Sequence, residues 1–377
     1  MSADFVIVLT AVLVAVPCSV LGTLLVLRQM SMMGDAISHA VLPGIVVAFF
    51  ISESLGPLVS VIGAGVFGVL TAVLVEALKN TRRVKEDSSI GIVFTALFAL
   101  GVFLISKFAT DVHLDLNHVL YGEIAFAPLN VLMVGEINLG PRSLWTLGLT
   151  TLLAVGLVLL LYKEFKVATF DPGLAAAAGL SPVLVHYLLM GAVSITTVGA
   201  FDSVGAILVV AFLIVPPATA YLLTEHLSRM MLLAIALGVA SAVVGYYLAA
   251  LLDVAIAGMM AVVAGTLFFV ALLFSPSHGL VANLLRRHRN RRSFARELLL
   301  SSLRVVGGRA VEQDLAKHLN WDNGMVSQAL QEALRSGFVL RSASGEVALT
   351  RKGRQTAIRS AGAAMSVRSD QDGSNAS

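Results

Sequence analysis

Nine stretches of this chain, near residues 5–27, 33–52, 57–78, 88–106, 143–162, 182–201, 204–224, 229–250 and 254–274, stay apolar for some twenty residues each with few charges. At about 1.5 Å of rise per residue, a helix of that length crosses a hydrocarbon layer of about 30 Å. Backbone amides inside lipid must be satisfied within the segment, so runs of this kind read as helices. The pattern predicts an all-α polytopic membrane protein of about nine transmembrane helices. The first run has neither a basic start nor a small-residue cleavage site, so Phe5 to Leu27 reads as a retained span.

Beyond residue 276 the pattern changes. Helical periodicity covers Ser293 to Val306, Val311 to Leu319 and Gly324 to Ser336, and the last of these places Met325, Ala329, Leu330, Ala333 and Leu334 on one face. The period then becomes two over Phe338 to Leu340 and Val347 to Leu349, with a turn at Ser342 to Gly345 and a final helix opening at Thr350. Three helices and a hairpin predict a small α+β winged-helix domain. The chain thus divides into a transmembrane domain over 1–276, a basic juxtamembrane linker over 277–292, the winged-helix-like domain over 293–360 and a disordered tail over 361–377 rich in Ser, Ala, Gly and Asp.

Composition excludes a soluble globule: 57% of residues are hydrophobic, 13% are charged and the mean hydropathy is +0.88, against about 25% charged residues in soluble domains. One cysteine, Cys18, falls inside the first span, which excludes a disulfide framework and a thiolate metal cluster. Charge separates the two parts: residues 1–276 carry 10 Lys and Arg against 15 Asp and Glu, and residues 277–377 carry 16 against 8. Basic residues gather in the connections at Lys79 to Lys85 and Lys163 to Lys166 and in the tail from Arg286. Since Lys and Arg mark the cytoplasmic side, nine spans place the N-terminus outside and the C-terminal domain in the cytoplasm of a cell (inner or plasma) membrane.

Candidate chemistry begins at Gly34 to Gly44, where Asp35 and His39 stand one helical turn apart on one face of an apolar stretch. Ionisable groups inside a membrane are costly and mark function, and an oxygen with a nitrogen suits Mn, Fe or Zn better than copper. Two ligands do not replace a hydration shell, but a twofold dimer would bring two carboxylates and two imidazoles together. Asp35 lies close to Arg28 and to the cytoplasmic end of its span, and either a broken second helix, with Gly34, Pro43 and Gly44 as breakers, or a displaced one would carry the pair deeper; the sequence leaves both open. A second polar group, His113, Asp115, His118 and Glu123 with Asp111, falls in an external connection, either as an ion relay or as solvated loop residues and caps. Glu76, Asp202, Glu225, His226 and Asp253 sit at span ends and read as interfacial. Gly63, Gly65 and Gly68 allow close helix approach, and Pro216-Pro217 interrupts a hydrogen-bond ladder, as a hinge or as the end of a short span.

The stretch Leu27-Arg28-Gln29-Met30-Ser31-Met32-Met33-Gly34-Asp35-Ala36-Ile37-Ser38-His39-Ala40-Val41-Leu42-Pro43-Gly44 closely resembles the signature of the permease subunits of manganese, zinc and iron ABC importers. Leu114 to Glu123, Phe170 to Ala175, Val204 to Val210 and Pro216 to Ala220 resemble that family in the same order, so the likeness spans about residues 5 to 275. The resemblance implies a homodimeric or heterodimeric permease, two cytoplasmic ABC ATPase subunits and an extracytoplasmic metal-binding protein. It also implies a metal path lined by Asp35 and His39, and no permanently bound cofactor, the Mn, Zn or Fe ion being cargo. Phe170 to Leu180, with Asp171, Pro172, Gly173, Leu174, Ala175 and Gly179, looks like the coupling helix on which the ATPase docks. The tail looks like the winged-helix part of metal-dependent repressors. Such a module reads DNA through its third helix, with Arg341, Arg351, Lys352 and Arg354 on phosphates, or docks proteins and regulates. It lacks a recognisable Cys/His/Glu cluster for sensing metal.

No Gly-x-x-x-x-Gly-Lys-Ser/Thr occurs, so the chain is no ATPase enzyme and its motor is a partner. Two other classes keep the same spans and Asp-His pair: an ion-coupled secondary metal transporter, and a membrane-tethered metal-responsive transcription regulator whose tail reads DNA.

Overall fold

A computed structural model describes residues 2–52, 57–81, 83–108, 124–134, 137–275, 279–319, 321–342 and 345–358. Contacts divide the chain into Met1–Gly279 and Leu280–Ser377.

The membrane unit is built from α1 (Ala3–Leu27), α2 (Met33–Ser52), α3 (Pro57–Asn80), α4 (Glu86–Phe108), α5 (Arg142–Leu160), α6 (Tyr162–Phe170), α7 (Pro172–Ala177), α8 (Pro182–Val204), α9 (Ala206–Leu223), α10 (Leu227–Leu252) and α11 (Ile256–Phe274). All but the short α6 and α7 are long and apolar enough to cross a membrane, nine among the described residues, and their bounds follow the apolar runs closely. Between α4 and α5 the structure adds a hairpin, β1 (Val131–Val134) against β2 (Ile137–Pro141), where the sequence reading had only a connection. The segment holding Asp111, His113, Asp115, His118 and Glu123 lies outside the described residues.

Lipid tails are as apolar as Leu, so helices in a membrane associate through close packing and interhelical hydrogen bonds. α1 is the central post: fifteen of its residues are buried, and Thr151 Oγ1 of α5 donates to the Leu13 carbonyl at 2.6 Å. Small residues set the approaches. Gly44 of α2 packs on Gly63 of α3, and Gly68 of α3 packs on Ser194 of α8, leaving no room for a Cβ at any of the three. A Cβ on Gly65 would meet open space, so two of the three expected α3 glycines carry packing.

Both proline breaks behave differently from the sequence expectation. α2 runs unbroken through Pro43, and α9 runs unbroken through Pro216 and Pro217. A proline inside a helix removes one N–H and displaces the carbonyl four residues earlier, and neighbouring glycines receive these distortions: Pro43 seats on Gly101, and Leu213 with Pro217 seats on Gly22. The true reversal is Gly205, at φ +79°, which separates α8 from α9 with a single residue.

The second unit comprises α12 (Leu280–Val305), β3 (Arg309–Val311), α13 (Glu312–Leu319), α14 (Asn323–Arg335), β4 (Val339–Arg341), β5 (Glu346–Leu349) and a helix over 351–358. The helix expected from Ser293 begins at Leu280, because no Gly or Pro interrupts 280–305, so most of the stretch read as a linker is helical. Val311 ends a strand instead of opening a helix. The antiparallel order β3-β5-β4 adds one strand to the expected hairpin. Leu299, Leu303, Leu315, Val326, Leu330 and Val347 form its core, and full burial of a leucine contributes about 1.5–3 kcal/mol.

Candidate functional site

Asp35 is the third residue of α2 and His39 the seventh, and a turn of helix brings His39 Nε2 to 3.6 Å from Asp35 Oδ1. The carboxylate and imidazole are 32% and 33% exposed, so both remain open to an approaching ion or subunit. Two ligand atoms that share a cation at about 2.1 Å stand about 3.0 Å apart at a right angle and about 3.4 Å apart in a tetrahedron. The observed spacing needs only a few tenths of an ångström of adjustment. Ser38 Oγ donates to the Gly34 carbonyl at 2.8 Å and is turned back on its own helix. Pro43 has no N–H to give the His39 carbonyl, so that oxygen is left without its usual intrahelical donor.

α4 supplies the wall behind the imidazole. Phe94 stacks on His39 with ring centroids 5.3 Å apart, and Phe98 meets it edge-on at 5.5 Å. These rings fix the imidazole's orientation without competing as ligands. No group of three His, Cys, Asp or Glu able to hold a metal occurs among the described residues.

Depth is set by which residues α2 touches. Gly34 packs on Leu213, the eighth of eighteen residues in α9. Ile37 packs near Gly68 and Ser194, the middle residues of α3 and α8. Phe94 and Phe98 stand ninth and thirteenth of the twenty-three residues of α4. The first turns of α2 therefore lie level with the middle of four neighbouring helices. The pair reaches mid-bundle because α2 begins there, with no break in the helix.

Between α5 and α8 the chain makes an exposed angle. Asp171 caps α7, accepting from Leu174 N at 2.8 Å; Pro172 occupies the first turn, and Gly179 closes the segment at φ +83°. Ala175 is buried, whereas Pro172, Gly173 and Gly179 are exposed and Phe170 and Leu174 are each 58% exposed. Leu174 on the small-residue helix α7 and Phe170 at the end of α6 are exposed apolar side chains suited to a protein groove. Arg28, which caps α1 just before α2, donates Nε to Thr169 Oγ1 at 3.1 Å, linking the α1–α2 turn to the residues preceding α7.

One polar pair escaped the sequence reading. Glu76, read as interfacial, is half-buried on α3 with Oε2 3.8 Å from His186 Nε2 of α8. Nothing local in the sequence pairs two residues 110 positions apart. In the second unit Arg341, Arg351 and Arg354 are exposed, while Lys352 lies 5.0 Å over the Phe338 ring and donates to the Ser336 carbonyl at 3.4 Å.

The family described as "ABC 3 transport family" matches residues 5–275. The chain is 50% identical over 286 residues to the manganese transport system membrane protein MntD of Bacillus subtilis (strain 168), covering 76% of this chain and 97% of that protein. It is 44% identical over 345 residues to the zinc transport system membrane protein TroD of Treponema pallidum (strain Nichols), covering 89% and 93%. Among solved structures, PsaBC from Streptococcus pneumoniae in complex with Fab aligns with a TM-score of 0.60 at 32% identity, covering 72% of this chain and 91% of that one. The TroD alignment is longer than the membrane unit, so it extends into residues 280–377, whereas MntD is nearly used up by 76% of the chain.

Proposed function

Since the chain belongs to the ABC 3 transport family and is the membrane permease of an ATP-driven divalent-metal importer, we propose that Asp35 and His39 form the station through which the ion crosses. The observation that carries this reading is the depth of the pair: a carboxylate and an imidazole at metal-sharing distance, level with the middle of four helices. The ion, manganese first and zinc or iron as alternatives, exchanges part of its water for Asp35 Oδ1 and His39 Nε2. In a homodimer or heterodimer the second subunit's helix completes the shell. An incomplete set of protein ligands favours release, as a transport site requires.

An extracytoplasmic protein delivers the ion, and two cytoplasmic ATPase subunits dock on α7, where Leu174 and Phe170 project. The N-terminus lies outside and the second unit in the cytoplasm, in keeping with the basic connections. ATPase activity of the reconstituted complex tests the substrate. Manganese is expected to stimulate hydrolysis most, with zinc and iron behind it; equal rates with and without all three ions would remove the transport reading.

The second unit is read as a winged helix, supported by three helices, the β4–β5 hairpin and the strand β3 beside it. Its role is regulation or docking in preference to DNA reading, because Lys352, one of the four basic residues read as meeting phosphates, is engaged on Phe338. Removal of residues 286–377 is expected to leave metal uptake within about twofold of the full chain, as MntD manages with almost no counterpart of this segment. Loss of uptake in that truncation would make the tail a working part of the transporter; a change confined to gene expression would favour the DNA-reading role.

A further inference from the structure

Glu76 is the twentieth of the twenty-four residues of α3, and His186 is the fifth of the twenty-three residues of α8. Each lies eight residues from the Gly68–Ser194 contact that is level with Ile37, a displacement of about 12 Å along the helices. The side chains are 29% and 15% exposed. A carboxylate at such a place in a membrane helix is retained at a cost unless it has a function.

The geometry differs from that of a structural bridge. Glu76 Oε2 lies 3.8 Å from His186 Nε2, beyond hydrogen-bond reach, and it is buried without accepting a hydrogen bond. Tyr187 stands edge-on to the His186 ring with centroids 5.5 Å apart. A carboxylate oxygen and an imidazole nitrogen thus face each other across two helices, at a spacing close to that of two ligands around a shared divalent ion.

We infer that Glu76 and His186 form a second divalent-cation station, about two-fifths of the hydrocarbon thickness from Asp35 and His39 toward α7. This rests on the reading of Asp35 and His39 as the first station. Donors of the same two kinds recur along the bundle, so an ion leaving the first pair meets a comparable, incomplete shell instead of bare hydrocarbon, and two weak sites move an ion more readily than one strong site. The second pair bridges α3 and α8, and α8 follows α7 after four residues. A shift of α7 that draws α8 from α3 would part the ligands and release the ion.

The test is Mn(II) bound to the purified permease–ATPase complex in lipid nanodiscs, read by electron paramagnetic resonance. In a background of Asp35→Ala with His39→Ala, bound Mn(II) is expected to persist, and adding Glu76→Gln is expected to weaken it at least tenfold, since the amide keeps the side chain's size and loses its charge. If Glu76→Gln does not assemble, the exchange Glu76→His with His186→Glu decides, since it restores both ligands in reverse: binding supports the station, and an assembled complex without binding overturns it. The inference also falls if the Asp35→Ala, His39→Ala complex binds no Mn(II), or if Glu76→Gln leaves its affinity unchanged. Equal binding by wild type and the Asp35→Ala, His39→Ala complex would instead count against the first station alone.

Discussion

Replacing Asp35 or His39 with alanine is expected to reduce accumulation of manganese or zinc in intact cells to the level of cells lacking the permease, while insertion and ATPase association stay intact. Each change removes one of the two side-chain ligands of the pair, and no larger group of His, Cys, Asp or Glu able to hold the ion occurs among the described residues. Loss of the carboxylate also removes the negative charge that offsets the ion's desolvation, a penalty of several kcal/mol per ion in a low-dielectric site. His39→Ala also leaves Phe94 and Phe98 facing a void, so His39→Gln is the better control for packing. Retention of the ATPase on affinity purification separates loss of transport from loss of the complex. Normal accumulation by both variants would remove this pair from the path.

The second large effect concerns packing around Leu213. Gly22 of α1 faces the Leu213 carbonyl, and a methyl there would overlap that oxygen and come within 2.9 Å of Pro217 Cγ. Pro217 cannot donate to this carbonyl and pushes it out of the helix, and Gly22 leaves the space it occupies. Gly34 of α2 faces the same residue, but the overlapping atom is the end of the Leu213 side chain. Overpacking a well-filled core costs about 1–3 kcal/mol and more when backbone blocks the way. Gly22→Ala is expected to cut the yield of assembled permease severely, and Gly34→Ala to cut it less. Leu213→Ala is expected to rescue Gly34→Ala and leave Gly22→Ala unrescued, as size-exclusion profiles of detergent-extracted protein would show. Rescue of both would mean that the backbone contact is not the constraint.

These two sites show what was legible in advance. The Asp35–His39 pairing follows from a spacing of four on a helix, a local property of the chain. The helix start at Asp171-Pro172 is local in the same way, since a side chain three residues from an N–H acts within one turn. Glu76 and His186 carry no such signal, because their meeting depends on how α3 and α8 pack. The strand β3 was hidden for a related reason: three residues have no period of their own, and Arg309–Val311 is a strand only because β5 lies beside it.

The chain's order of residues determined the apolar spans, nine among the described residues, the donor chemistry and the lack of a phosphate-cradling motif, because hydrophobic run length and residue type act locally. The tertiary structure alone decided how deep Asp35 and His39 lie. Helix α2 starts inside the bundle, and only the contacts of Gly34, Ile37 and His39 with Leu213, Gly68, Phe94 and Phe98 fix that level. Apolar residues are equally content at any depth of a hydrocarbon layer, so hydropathy carries no coordinate along the membrane normal; close packing of small residues supplies it.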